Sequence, residues 1–328
     1  MPVDHSWSMV LHERDAKLHS IMKRRFRDWL LKLVSQKLLS RTDYFELWER
    51  YGYHVTPNHF TQPIPDTSQL NDRLWDENSQ LAGIDMNEAG QLNILDHFTR
   101  DFKQEYELFP VERQPEPAFF VNNGIFESVD AEVAYCMIRR FKPRCIVEIG
   151  AGYSTVIMNE AIKANASQQH EVPVFHSIEP YPRSFLHRLP YPWYRLTERP
   201  LQDVPLIFFD QLGDDGLLFI DSSHVLKIGS DVQYEVLELL PRLRPGCIVH
   251  IHDIFLPSEY PKEWVKQHQC FWNEQYFIQA FLTHNSAFNV LWASSYMHIN
   301  HPDSLEAAFR SYDRNRWWPA SLWLQRVR

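Results

Sequence analysis

Residues 144–155 read RCIVEIGAGYST: an apolar run that carries one acid, then two glycines a residue apart, then hydroxyl residues. A short apolar run closed by glycines fits a buried strand that turns sharply into a helix. Gly150 and Gly152 allow the backbone to turn tightly and to approach a ligand, while Ser154 and Thr155 open a helix whose first N–H groups face the same point. Working outward, apolar strands read at 173–178, 217–221, 246–252, 287–293 and 321–326, with helical stretches between most of them. That alternation predicts a doubly wound α/β fold with a largely parallel sheet covered on both faces. In such sheets ligands bind beyond the carboxyl ends of the strands, at the topological switch point, so the residues that close each strand become the candidates.

The chain has 328 residues, 44% of them hydrophobic and 14% aromatic, enough apolar material for one large domain plus an extension. No run of about 18 apolar residues occurs and the start lacks a signal peptide's apolar stretch, so the expected compartment is the cytoplasm. Cys136, Cys145, Cys247 and Cys270 show no metal-type spacing and are expected as reduced thiols. A formal net charge of −9 disfavours nucleic acid as a partner, because a phosphate backbone calls for a basic face. A small molecule or a glycan suits this chain better.

Residues 1–117 differ from the rest. Apolar residues recur every three or four positions over 17–39, predicting an amphipathic helix. Its other face is basic: residues 12–41 hold nine Lys and Arg against three acids, which leaves the remainder more negative than the whole. Such a helix can lie on an anionic membrane surface, but it packs more often on its own acidic domain or on a subunit partner, including a second copy of the chain. Residues 56–72, TPNHFTQPIPDTSQLND, are too rich in proline and polar residues for a regular element. A helical pattern resumes over 80–106, and FPVERQPEP at 109–117 marks a boundary. The reading is a helical extension or lid over 1–117 and an α/β domain over 118–328.

The strand ends then narrow the ligand. Glu148 stands two residues before Gly150, and Thr155 occupies the place of a dinucleotide fingerprint's third glycine. An acid there repels a pyrophosphate and welcomes an ammonium or a sulfonium, which favours S-adenosylmethionine over NAD. Glu179 closes the second apolar strand, where an acid can accept hydrogen bonds from both ribose hydroxyls.

These motifs resemble the class I S-adenosylmethionine-dependent methyltransferases over roughly residues 118–328. The resemblance rests on the E-x-G-x-G turn from Glu148 to Gly152, on Glu179, and on the ordered strands that follow. It implies a Rossmann-like seven-stranded sheet whose last strand is antiparallel, with residues 321–327, SLWLQRV, as the candidate. It also places PLQDV, residues 200–204, after the third strand, with Gln202 or Asp203 near an adenine amine. The strings FIDSSHVLKIGSD and HIHDIFLPSEYP are similar to those of a bacterial subfamily known only as methyltransferases. In metal-dependent O-methyltransferases of the catechol and macrolide-sugar types, acids after the fourth and fifth strands hold magnesium, and Asp221 and Asp253 match those positions. By the same resemblance, His224, three residues after Asp221, implies a general base, and Asp221 also borders the cofactor.

Chemistry supplies a reason for the pattern. A sulfonium is already activated, so the enzyme must align an acceptor and make it nucleophilic. A divalent cation can acidify an acceptor hydroxyl and a histidine can take its proton. Carboxylates suit magnesium; a histidine ligand shifts the preference toward manganese, iron or zinc. In CIVHIHDIF, residues 247–255, regular alternation sends His250 and His252 to one face and Ile251 and Asp253 to the other. His250 reads as a core histidine. His252 reads as a metal ligand, a group orienting one, or packing, and Asp253 as a site residue. Phe271 to Leu282 predicts an amphipathic helix whose start, Trp272, Asn273 and Glu274, either lines the acceptor pocket or belongs to the core. The rival readings are an NAD-dependent oxidoreductase and a non-catalytic scaffold that assembles through its basic helix.

Overall fold

The computed structural model describes residues 23–30, 32 and 45–328. The chain divides into two compact units, Met1–Leu70 and Asn71–Arg328. In the first, residues 23–30 and 32 are helical, which agrees with the helix predicted over 17–39; the rest of that segment lies outside the described residues. A short helix α1, Phe45–Arg50, follows. The stretch at 56–72 holds only turns, bends and irregular backbone, as its composition predicts.

The second unit carries the sheet. After α2 (Arg73–Asp76), α3 (Glu88–Tyr106) and α4 (Asp130–Phe141), the elements are β1 (Cys145–Ile149), α5 (Tyr153–Ser167), β2 (Val174–Ile178), β3 (Tyr194–Thr197), β4 (Leu217–Ile220) and α6 (Asp231–Tyr234). A π turn over Glu235–Leu239 extends α6, and β5 (Ile248–Ile251), α7 (Lys262–Lys266), α8 (Glu274–Leu282), β6 (Phe288–Ala293), α9 (Ser294–Asn300), α10 (Pro302–Ala308) and β7 (Leu322–Arg326) complete the chain. Among these, α3 lies in the second unit although the sequence reading groups it with the N-terminal extension. It packs on β6 and α4.

Seven strands form one sheet in the order β3-β2-β1-β4-β5-β7-β6. Pairings are parallel except at β7, which runs antiparallel to both β5 and β6. The strand order reverses between β1 and β4, so this junction is the switch point. Every predicted strand is present; β3 is the addition, and its sequence YRLT shows why the apolar pattern omits it. It is a four-residue edge strand with one buried side chain, and edge strands need no continuous apolar run.

Alternation along the strands divides the core in two. Ile146, Leu217, Phe219 and Trp323 face one layer, built from α3, α4 and α5, whereas Val147, Leu218, Val249 and Leu324 face the other, which α6 and α8 cover. No helix among the described residues is long and apolar enough to cross a membrane. The four cysteines are unpaired.

Candidate active site

The switch point is built by close approach of two backbones. Gly150 has φ of +78°, and a Cβ there would sit 1.8 Å from the carbonyl oxygen of Asp221. The Asp221 N–H donates to the Ile149 carbonyl at 2.8 Å, which fixes that approach. Gly152 differs: its φ of −170° is ordinary extended backbone, and nothing lies within 4 Å of an added Cβ. So Gly150 is required by the protein itself, while Gly152 borders open space.

The structure places Glu148 beneath this turn. Its side chain has no exposed surface and accepts hydrogen bonds from Ser154 and Thr155 hydroxyls at 2.8 Å each and from the Ser177 hydroxyl. Ser177 is its register partner on β2. Burial pushes the carboxyl up from 4.5 to about 8, against the three hydroxyl donors. The expectation of an ionised carboxylate meeting a cationic ligand therefore needs correction: Glu148 is a strut that ties β1 to β2 and α5, and Ser154 and Thr155 spend their hydroxyls on it. The Thr155 hydroxyl also accepts from the Gly152 N–H at 3.0 Å.

A pH dependence follows. Between its unfolded value near 4.5 and about 8, Glu148 holds a proton in the native state that the unfolded chain has lost, so it makes stability fall as pH rises through that window. Glu132, buried and raised to about 7, acts with the same sign. Replacing Glu148 by glutamine should remove its share. Thermal unfolding at stepped pH should show the variant gaining on the wild-type chain by on the order of 5 °C between about pH 5 and about pH 9. Parallel curves would mean that Glu148 titrates normally.

Glu179, half-buried at the end of β2, accepts from the backbone N–H groups of Ala151 at 3.2 Å and Tyr181 at 2.7 Å. It thus stands beside the glycine turn. Gln202 and Asp203 are exposed on a 3-10 turn after β3, and the Gln202 amide donates to the Gly229 carbonyl at 3.0 Å.

Beyond β4 and β5 the remaining candidates converge. His224 is buried, and its Nε2 lies 3.4 Å from a carboxylate oxygen of both Asp221 and Asp253. Its Nδ1 lies 2.9 Å from Glu274 Oε2. His252 Nε2 lies 3.7 Å from Asp253 Oδ1. Regular alternation predicts Asp253 on the opposite face from His252, yet β5 ends at Ile251 and Asp253 has φ of +55°, which turns its carboxylate back to the histidines. His224 also sits at positive φ, +59°. Left-handed backbone at two non-glycine residues in one cluster is strain of the kind that functional sites retain.

Charge is shared within this cluster. Burial works against an ionised Asp221, but His252 and His224 outweigh it and hold the carboxyl down at about 2. Burial also opposes a charged His224, and the bonds to Asp221 and Glu274 overcome it, leaving the imidazole well above its usual range. His252 is raised too: Asp253, Asp221 and Asp130 outweigh its burial. Burial raises Asp253 against the pull of both histidines.

His250 is the core histidine that its sequence position predicts. It stacks on Phe219, centroids 3.7 Å apart, beside Trp323, its register partner on β7. Its Nε2 lies 2.9 Å from the Ser321 hydroxyl, and burial holds its pKa well below the usual value.

Asp130, Asp231, Glu235 and Ser321 support the site from outside the predicted motifs, whereas Trp272, Asn273 and Glu274 stand at the start of the helix predicted over 271–282. Ser222, Ser223 and His224 of D-S-S-H at 221–224 each meet a carboxylate: Ser222 donates to Glu235 at 3.2 Å, Ser223 to Asp231 at 2.6 Å, and His224 contacts Glu274. The acids of "SDVQYE", four residues apart after a serine cap, were the available signal. Asp130 accepts from the Ala320 and Ser321 N–H groups, and the Ser321 hydroxyl reaches toward His252 Nδ1 at 3.4 Å. Trp272, Asn273 and Glu274 grip the His224 loop. Trp272 lies against the imidazole, the Asn273 side chain accepts from the Leu226 N–H at 2.6 Å, and the Asn273 N–H donates to the His224 carbonyl at 3.1 Å.

Residues 147–254 match a family described as a methyltransferase domain, a span that runs from β1 to just past Asp253. An uncharacterized protein of Archaeoglobus fulgidus is 33% identical over 175 residues, 50% of this chain and 76% of its own length. Among solved structures, SAH-bound methyltransferase PaMTH1 of Podospora anserina is 13% identical with a TM-score of 0.39, over 73% of this chain and 88% of its own. A structure titled cmcI-D160 Mg-SAM is 18% identical with a TM-score of 0.32, over 61% of this chain and 71% of its own. At such scores the bound groups remain properties of those proteins alone. Gly150, Asp221, His224, His252 and Asp253 all lie within the residues that match the methyltransferase-domain family, and the chain belongs to the family of the Archaeoglobus protein.

Proposed function

We propose that this protein is an S-adenosylmethionine-dependent methyltransferase that methylates a hydroxyl oxygen on a small molecule or glycan, with a divalent cation at Asp221 and Asp253 and with His224 as proton acceptor. The observation that carries this reading is the meeting of two strand-end aspartates at one imidazole nitrogen, 3.4 Å from each, beside the glycine turn.

For the cation, the residues fit. Asp221, His252 and Asp253 each offer a ligand atom, and these atoms lie within 4.8 Å of one another. Two carboxylates and an imidazole suit magnesium or manganese, with His252 favouring the latter. When bound there, the ion would acidify an acceptor hydroxyl. For the cofactor, the open space at Gly152 and the exposed flank of Glu179 fit a ribose and its neighbouring chain, and S-adenosylmethionine would supply the methyl group as an activated electrophile.

The chain's own groups then act as follows. Glu148 and its three hydroxyl donors hold the turn in place, so that the N–H groups at the start of α5 keep one orientation. Glu274 accepts the Nδ1–H of His224, which leaves Nε2 as the atom facing the aspartates. Once the charge of Asp221 and Asp253 is spent on the cation it no longer holds a proton on Nε2, and a hydroxyl held between the two aspartates would lie within reach of that nitrogen, which takes its proton as the oxygen is methylated.

Calorimetry with S-adenosylhomocysteine tests the foundation. Binding is expected, and Glu179→Ala should weaken it about 10- to 100-fold, the worth of hydrogen bonds to a charged acceptor. Equal affinity in the variant would remove Glu179 from the site. No binding to the wild-type chain would overturn the function.

A further inference from the structure

Residues 71–79 lie against the loop that follows β5 and are fastened to it. The Ser79 N–H donates to the Pro257 carbonyl at 2.8 Å, the Ser258 hydroxyl to Asn78 Oδ1 at 2.7 Å, and the Trp75 indole N–H to the Tyr260 carbonyl at 2.9 Å. From α8, the Gln279 amide donates to the Ser79 hydroxyl at 2.9 Å, and Lys262 of α7 pairs with Asp72 at 3.0 Å. Between this strap, the loop and α8 lies a groove of about 480 Å³, within the range of about 300–1,000 Å³ that small-molecule sites occupy.

The groove wall is held in one arrangement by its own hydrogen bonds. Gln275 is buried; its Oε1 accepts from the Phe255 N–H at 3.1 Å, and its amide donates to the Ser258 carbonyl and to Glu259 Oε1 at 3.3 Å each. Glu259 Oε1 also accepts from the Tyr276 hydroxyl and the Tyr260 N–H. One carboxylate oxygen thus takes three donors, and Oε2 has no partner among the described residues. On the same lining, the Gln279 carbonyl oxygen, the Asn78 amide N–H groups and the Arg73 guanidinium likewise have no partner among the described residues. Tyr276 adds a ring that is 47% exposed.

These unspent groups select a ligand class. Acceptors and donors are both present, and the charges of the lining oppose one another, Arg73 against Glu77 and Glu259, which suits neither a strong anion nor a strong cation. A sugar hydroxyl donates and accepts at once, and the C–H face of a sugar ring is drawn to the negative face of an aromatic ring. We infer that this groove binds a neutral glycan, with Glu259, Asn78 and Gln279 taking its hydroxyls and the Tyr276 ring lying against one sugar face.

The groove is distinct from the strand-end cluster, yet the two share the first turn of α8. Glu274 meets His224, while the next two residues, Gln275 and Tyr276, line the groove. The loop contributes on both sides too, since Leu256 of the groove follows Asp253 by three positions. In one respect the inference deepens the proposed function and rests on it: the acceptor becomes a glycan, one sugar of which is held apart from the reacting hydroxyl. The groove itself stands without cofactor or methyl transfer.

Saturation-transfer NMR on the full chain, with no cofactor added, tests it. The probes are neutral disaccharides and trisaccharides of glucose, galactose, mannose and N-acetylglucosamine. At least one should receive saturation with a Kd on the order of 1 mM, and Tyr276→Ala and Glu259→Gln should each weaken it about tenfold with melting temperatures near the wild type. Should either variant melt early, Arg73→Ala at the exposed rim takes its place. Asp253→Asn should bind the sugar as the wild-type chain does. Saturation of none of the probes overturns the groove, and so does sugar binding that survives the groove variants and is lost in Asp253→Asn. A chain that binds sugar in the groove yet binds no S-adenosylhomocysteine would overturn the proposed function and leave the groove intact; S-adenosylhomocysteine binding without any sugar contact would do the reverse.

Discussion

Asp253→Asn is expected to abolish divalent-cation binding and to lower methyl transfer about 10²- to 10³-fold while leaving S-adenosylhomocysteine affinity nearly unchanged. The magnitude is that of a cation contributing several kcal/mol to charge stabilisation, at about 1.36 kcal/mol per decade. Asparagine is the informative replacement. Asp253 adopts φ of +55°, a conformation asparagine tolerates nearly as well as aspartate, so the backbone should survive and only the charge is lost. Alanine would mix both effects. The cofactor side should be spared because Glu179 and the glycine turn sit at the ends of β1 and β2, away from β5 in the strand order. Manganese binding by calorimetry or paramagnetic resonance provides the direct readout, with transfer of a labelled methyl group as the second. If the wild-type chain transfers methyl groups equally well in the presence of a strong chelator, the cation has no part in the reaction, and His224 would have to act alone.

The second large effect concerns the fold itself. Gly150→Ala should cost more than about 4 kcal/mol, a large share of the roughly 5–15 kcal/mol by which native proteins are stable. Two penalties coincide at this residue: the added Cβ would meet the Asp221 carbonyl at 1.8 Å, and φ is +78°. Neither can relax easily. Asp221 is held by its N–H to Ile149, and β1 and β4 are paired in register from Ile146 to Ile149. Gly152→Ala is the matched control, since its Cβ enters open space at an ordinary φ. That variant should unfold near the wild-type temperature and lose cofactor affinity instead. Circular dichroism melts of the two variants separate the roles, and a Gly150→Ala chain as stable as wild type would show the junction to be slack.

Much of this architecture is readable from periodicity because its strands are buried on both faces and so appear as near-continuous apolar runs. CIVEI, LLFI and IVHI need no partner information to be read as strands. YRLT does, since an edge strand draws its order from β2 rather than from its own side chains. Within the site, strand ends and spacing point to Asp221, His224, Glu179 and the glycines as candidates, and the structure brings Asp221 and His224 into contact. Spacing alone misjudges what depends on departures from regular geometry. Alternation placed Asp253 away from His252, and only the left-handed turn after Ile251 reverses that. A carboxylate at Glu148 read as a ligand-facing charge, whereas the sheet register brings Ser177 against it and converts it into an internal fastener. Glu235 and Glu274 lie 39 positions apart, and nothing local indicates that two such acids meet the same loop.

The π turn at Glu235–Leu239 makes that loop sensitive to chain length as well as to chemistry. Before it Asp231 and at its first position Glu235 face the loop after β4; downstream, Leu240 packs in the core beneath the sheet. A π turn carries one residue more than the α-helix it interrupts, and each residue of an α-helix turns the chain by about 100°. Deleting one residue within it would yield a more regular helix, yet it would rotate either the acids off their serines or the leucine out of the core. Here a better helix makes a worse protein, so in this segment indels, more than substitutions, should separate relatives that keep both acids on the loop serines from those that have abandoned that contact.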